Sequence, residues 1–233
     1  MLYYMLELVI NKQRCAMNLL ANPTTLKIAG LIGVFFGLIG VIVPSLAYRG
    51  TEGQKYSFLN HFISELGEVS ISRLAWVFNL GMILAGICIV IVSLSLGLIL
   101  PSFWAKAGMV LGTATGVALS MVGVFPMEKM KEHIAVAVAF FRGGFLMVLL
   151  FSLAIALQNA DNQVVPRALG LVGMLPVLAF GIFLGLMWSV RDQDRHTLDT
   201  TEKTRPRVSK FAISEWSIFF AFILWILVIA LSM

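Results

Sequence analysis

The sequence predicts an all-α protein: a polytopic integral membrane bundle of six transmembrane helices, with a short interfacial helix after the first span. Three observations predict it. Of the 233 residues, 59% are hydrophobic and 12% charged, and the mean hydropathy is +0.93, whereas soluble domains carry about 25% charged residues. The apolar residues gather into six runs, each of the roughly 20 residues or more that a spanning helix needs. The polar residues collect between these runs, and the alternating ten-residue strands of a membrane barrel are absent. This pattern excludes a soluble enzyme, a disordered chain and a fibrous protein.

The spans are read as Leu26–Ala47, Leu74–Leu100, Phe103–Phe125, His133–Leu157, Val165–Val190 and Phe211–Met233. Residues 26–233 form one six-span membrane domain, and residues 1–25 an N-terminal leader. Its first residues, Met1 to Ile10, are apolar but too short to cross, and they lack the basic n-region and cleavage site of a signal peptide. They read as an interfacial helix, with Met17 as an alternative start. Cys15 lies in the leader and Cys88 in mid-span, so no bridge between them is expected. Gly108, Gly112, Gly116 and Ser120 recur every fourth position on one face of the third span, with shorter pairs at Gly33/Gly37 and Gly181/Gly185. Small residues at this spacing let helix backbones approach closely, and packing inside one bundle is their expected role. No internal repeat is evident, which weighs against an inverted-repeat transporter.

The net charge of +5 falls in the connections, where it reports topology rather than nucleic-acid binding. The odd-numbered connections hold more lysine and arginine than the even ones, the basic run from Arg191 to Lys210 above all. By the positive-inside rule they face the cytoplasm.

In so apolar a chain the polar residues near or inside the spans carry the functional information. The first group is Ser57-Phe58-Leu59-Asn60-His61-Phe62-Ile63-Ser64-Glu65-Leu66-Gly67. Its apolar residues recur at helical spacing, with Ser57 as N-cap and Gly67 as stop, which predicts a short amphipathic helix lying at the membrane surface. His61 and Glu65, four apart, share a face of that helix. The second group is Phe125-Pro126-Met127-Glu128-Lys129-Met130-Lys131-Glu132-His133. Pro126 ends the third span, Glu128 or Glu132 suits the positive end of the next helix, and His133 enters the membrane edge. Third, Arg142 lies about 13 Å into the fourth span, where a charge costs about 2.5–3.5 kcal/mol on the insertion scale. The acids available to offset it are Glu215, Glu65, Glu128 and Glu132. Arg142 and His133 are two and a half helical turns apart and so point to opposite faces. Asn79, in the second span, is a fourth polar residue on the same side. The candidate ligand-binding set is therefore His61, Ser64, Glu65, Asn79, Glu132, His133 and Arg142.

At these residues the chain resembles a known family. Asn60-His61-Phe62-Ile63-Ser64-Glu65-Leu66-Gly67 is similar to the "SxLG" segment of the prokaryotic membrane family catalogued as domain of unknown function 998. Phe125-Pro126 followed by His133 is similar to that family's "FP … H" segment. The resemblance covers roughly Leu26 to Met233. It implies a six-helix bundle with Ser64, Leu66, Gly67, Phe125, Pro126 and His133 at motif positions, and it implies no activity. It also implies that the first connection lies outside the cytoplasm, against the charge rule, so the orientation stays open.

The residues name no cofactor and no convergent catalytic set. The reading they support is a protein that binds a lipid, isoprenoid or quinone-like ligand within the bundle, or an accessory subunit, of a prokaryotic cell membrane. Its expected partners are membrane lipids, other membrane subunits or a second copy, and no nucleic acid. One alternative is an intramembrane metal-dependent hydrolase using His61, Glu65 and His133, since zinc catalysis needs three ligands and an open position. Another is a single-haem or quinone redox protein with His61 and His133 as the axial pair; His196 sits in a charged connection and reads as solvated.

Overall fold

A computed structural model describes residues 2–51, 53–189 and 206–233. His196 and most of the basic fifth connection lie outside the described residues. Helix α1 runs Leu2–Leu20, α2 Pro23–Ala47, α3 Ala75–Ile99, α4 Phe103–Val124, α5 Met130–Ala156, α6 Ala168–Val172, α7 Met174–Ser189 and α8 Lys210–Leu231. Six segments are long and apolar enough to cross a membrane: α2, α3, α4, the stretch Met127–Ala156 containing α5, the stretch Ala168–Ser189 containing α6 and α7, and α8. The protein is an integral membrane bundle of six helical spans.

Local chemistry sets the helix ends. The Asn22 side chain accepts from the Thr24 amide at 2.8 Å, with Pro23 supplying the first helical residue of α2. Ser102 caps α4 through the Ala105 amide at 3.2 Å, and Ser209 caps α8 through Ala212 at 3.3 Å. At the C-terminus of α3, Lys106 Nζ donates to the Gly97 carbonyl at 2.6 Å, a cation at the negative end of the helix dipole. The fifth span, one run in the sequence, is broken at Gly173. Pro176 has no amide to donate to the Val172 carbonyl, so the helical ladder fails there and restarts as α7.

The spans pack as a closed ring: α2 on α3, α3 on α4, α4 on α5, α5 on α7, α7 on α8 and α8 back on α2. Each helix is apolar on both sides, because one side faces the bundle and the other the lipid. On α2 the outward stripe is Ile28, Ile32, Phe35, Ile39, Ile42 and Leu46, all exposed. The inward stripe contains Gly33, Gly37 and Gly40, and a Cβ at Gly40 would lie 3.1 Å from the Gly81 Cα of α3. The face of α4 picked out by its spacing does pack inside the bundle. Gly108 lies against Phe151 of α5, Gly112 against Ser93 of α3 and Met147 of α5, and Gly116 against Gly86 and Val90 of α3. Ser120 donates to the Ile83 carbonyl at 3.0 Å.

The first connection differs from its expected form. A single turn closes from the Ser57 carbonyl to the Asn60 and His61 amides. Phe62 is extended, and only Ile63–Gly67 is helical, as a five-residue 3-10 helix. It does not lie flat on the surface with its polar face in water. His61 is 3% exposed and Glu65 5%, while Phe58 is 61% exposed. The polar side chains turn inward onto the connection's own backbone, His61 to Ser57 and Glu65 to the Phe62 amide.

Candidate functional site

Inside the ring, at the end carrying the first and third connections, is a cavity of about 100 Å³ lined by α2, α3, α4, α5, α8 and the first connection. Along α8 the lining runs from Glu215 to Ile226 and along α3 from Phe78 to Ile89, a length of about 16 Å at 1.5 Å per residue. The lining is almost wholly apolar. Phe140 and Phe222 close one wall, their rings 6.3 Å apart and each 5.9 Å from Phe180 behind them. Ser64, His133 and Glu215 are the polar exceptions, all at one end.

Each of the three is positioned by a backbone contact or a neighbouring connection. His133, 5% exposed, has Nδ1 2.7 Å from the Phe125 carbonyl. A carbonyl only accepts, so Nδ1 carries the proton and Nε2 is the acceptor of the neutral ring. The Phe125-Pro126 … His133 segment is thus a bracket: the histidine ties the end of α4 to the start of α5 and places its ring on the cavity lining. Glu215 accepts from the Ile63 amide at 2.7 Å, pinning the 3-10 helix to α8. Ser64 donates to the Met127 sulfur at 3.5 Å. Further ties run from the Ser70 amide to Glu128 at 2.9 Å and from the Ser209 amide to the Leu59 carbonyl at 2.8 Å.

The rest of the Ser64–Gly67 segment is structural. Leu66 is fully buried beside Val41, Phe78 and Met82. The Gly67 carbonyl accepts from Asn79 Nδ2 at 3.1 Å. A Cβ on Gly67 would lie 2.6 Å from the Phe78 ring, so the close approach requires glycine.

Behind the cavity mouth lies a second layer, Tyr48, Tyr56, His61, Glu65 and Trp216. The Tyr56 hydroxyl donates to the Phe62 carbonyl at 2.8 Å. Its ring lies 5.0 Å from that of His61 and 6.0 Å from that of Trp216, and Tyr48 packs edge-on against His61 at 5.4 Å. His61 Nδ1 is 3.2 Å from both the amide and the carbonyl of Ser57. Glu65 accepts from the Phe62 amide at 2.8 Å. Burial pushes the Tyr56 phenol above its ordinary 10.0, and the Glu215 and Glu65 carboxyls add to the rise. A phenol that holds its proton more tightly when folded contributes stability below pH 10.0, lost as pH climbs beyond that value. Tyr56→Phe is therefore expected to flatten the alkaline limb of a melting-temperature profile and to lower stability near pH 7 by about 1 kcal/mol for the lost hydrogen bond. An alkaline limb as steep in the variant as in the wild type would contradict this assignment.

The structure divides the candidate set taken from the sequence. Ser64 and His133 line the cavity. His61 and Glu65 are buried in the layer beside it. Asn79 braces Gly67 and lines a separate surface groove with Arg73. Glu132 and Arg142 are exposed on the outside of α5 and do not reach the cavity. Glu215, considered in the sequence only as a counter-charge for Arg142, belongs to the cavity instead. Its signal was available: it lies inside an apolar span. The roles of Tyr56 and Trp216 carried none. Among the described residues no three His, Cys, Asp or Glu side chains form a group that could hold a metal ion. His61, Glu65 and His133, the ligand set of the hydrolase alternative, form no such group: His61 packs among tyrosines while His133 lines the cavity.

The family described as "Protein of unknown function (DUF998)" matches residues 31–232. The chain belongs to this family. Comparison with curated proteins gives no match, and comparison with solved structures gives none. The DUF998 match takes in the first span from residue 31 and the other five spans, and with them Ser64, His133 and Glu215.

Proposed function

We propose that this protein binds a single-chain amphiphile, a lipid or isoprenoid-type molecule, with its chain in the cavity and its polar group at Ser64, His133 and Glu215. The observation that carries this reading is the distribution of lining residues: apolar along about 16 Å and polar at one end only. Binding pockets typically combine an apolar wall with a few placed polar groups that fix orientation. The volume narrows the choice. At about 100 Å³ the slot is smaller than the 150 Å³ type of cavity that takes one benzene. As it stands it holds a short stretch of a single chain, and a longer stretch requires the spans beside it to part. The host membrane is proposed to be a prokaryotic cell membrane, in keeping with the family resemblance in the first and third connections.

The test uses a long-chain alcohol carrying a diazirine near its tail, photolysed with the purified protein. Adducts are expected on cavity-facing residues of α5 and α8. Ala137→Phe, which places a ring in the slot, is expected to reduce labelling by about tenfold or more, equivalent to about 1.4 kcal/mol. Its melting temperature should stay at or above the wild-type value, since the ring fills existing space. Labelling confined to the lipid-facing stripe of α2, or unchanged in Ala137→Phe, would overturn the proposal.

A further inference from the structure

The outer face of α5 carries a charge that the bundle does not use. Arg142 is exposed, twelve residues after Met130 and fourteen before Ala156, so its Cα stands about 18 Å from one helix end and about 21 Å from the other. Its neighbours fix its direction. Phe141 turns toward α7, its ring 4.3 Å from Phe183, and Gly143 turns toward Thr115 of α4. Arg142 therefore points away from the ring. Among the described residues it makes no hydrogen bond and no ion pair. Along the same face, Glu132, Ala135, Ala139 and Leu146 are exposed at helical spacing. The two alanines leave the surface flat on the approach to Arg142.

Three sources of negative charge can be weighed for it. Within the chain, Glu132 sits ten residues away, about 15 Å along the same helix, and Glu215 faces the interior cavity. Lipid phosphates lie at the edges of a hydrocarbon layer about 30 Å thick, a side-chain length or more beyond the reach of a group at its middle. A second copy docking by this face would set Arg142 against Arg142, and its other outer faces offer no carboxylate at that depth among the described residues, since Glu215 faces the cavity. What complements a guanidinium at this position is a carboxylate at mid-membrane on a different protein.

We infer that the outer face of α5 is a docking surface for a transmembrane helix of another protein, one bearing an aspartate or glutamate near its centre. Arg142 pairs with that carboxylate, with the geometry that makes arginine suited to bidentate recognition, and Ala135 and Ala139 allow the helix backbones to approach. This surface is on the opposite side of α5 from His133, so it is independent of the cavity reading.

The probe is a synthetic leucine–alanine helix with one central glutamate, beside its glutamine counterpart. Both are reconstituted with the full-length protein, fluorescently labelled at Cys15, in phosphatidylcholine vesicles. The glutamate helix is expected to associate about tenfold or more tightly than the glutamine helix. Arg142→Leu should abolish that preference and Arg142→Lys should keep part of it. Equal binding of the two helices, or a preference that survives Arg142→Leu, would overturn the inference. Arg142→Leu should also melt at or above the wild-type temperature, because no contact within the bundle is lost. A clear drop would assign Arg142 to the fold and overturn the inference as well. In native membranes, a benzophenone side chain at position 146 should cross-link to a helix whose glutamate or aspartate lies at matching depth. Cross-links to a second copy or to lipid alone would count against it.

Discussion

Gly116→Leu should lower stability by about 3 kcal/mol or more, at the top of the range for overpacked cores. A Cβ at position 116 would lie 2.6 Å from the Gly86 carbonyl oxygen and 2.8 Å from the Val90 amide nitrogen of α3. These are backbone atoms, so no rotamer change relieves the clash, and the two helices must separate. Their separation would also pull Ser120 from the Ile83 carbonyl. Gly185→Leu serves as the control, because a Cβ there meets nothing within 4 Å. Thermal unfolding in one detergent should show a large drop for position 116 and little change for position 185. Equal melting of Gly116→Leu and wild type would mean that the α3–α4 contact is not as close as described.

The second large effect is expected at Glu215. Glu215→Leu removes the acceptor of the Ile63 amide and leaves a donor without a partner at the cavity mouth, a cost of about 1–3 kcal/mol. The consequence should be local as well as global. Amide exchange at Ile63 and along the 3-10 helix should accelerate, and photolabelling of the cavity should fall, because the polar end loses one of its three groups. Glu215→Gln keeps an acceptor oxygen in place, so Ile63 protection should largely survive. Unchanged exchange at Ile63 in Glu215→Leu would show that the connection is held by its other ties instead. The two variants together separate the anchoring of Ile63 from any contact with a bound molecule.

The spans were legible because length and hydropathy are properties of contiguous sequence. The second span, read as Leu74–Leu100, is α3 at Ala75–Ile99, and the third, read as Phe103–Phe125, is α4 at Phe103–Val124. The opposite facings of Arg142 and His133 were legible too, since they follow from helical pitch alone. The cavity was not. It arises where five helices leave a gap between them, and no periodicity encodes a gap. The first connection misled for a related reason. Its apolar residues have helical spacing, but the segment gains more by tying its amides to Glu215 and Glu65 than by completing an exposed helix. Pattern reports which side chains avoid water; it does not report that a buried carboxyl waits on another span.

The ties across the first and third connections have a further consequence. Ile63 is fastened to α8, Ser64 and Ser70 to the third connection, and Leu59 to the residue that caps α8. The polar end of the cavity is stitched at several points rather than hinged at one. Under the proposed reading, a chain entering the slot would pass sideways, between helices, from the leaflet itself. The bilayer then serves as solvent and reservoir at once. The rate of filling would then follow the breathing of neighbouring spans, while occupancy would follow the molecule's mole fraction in the membrane.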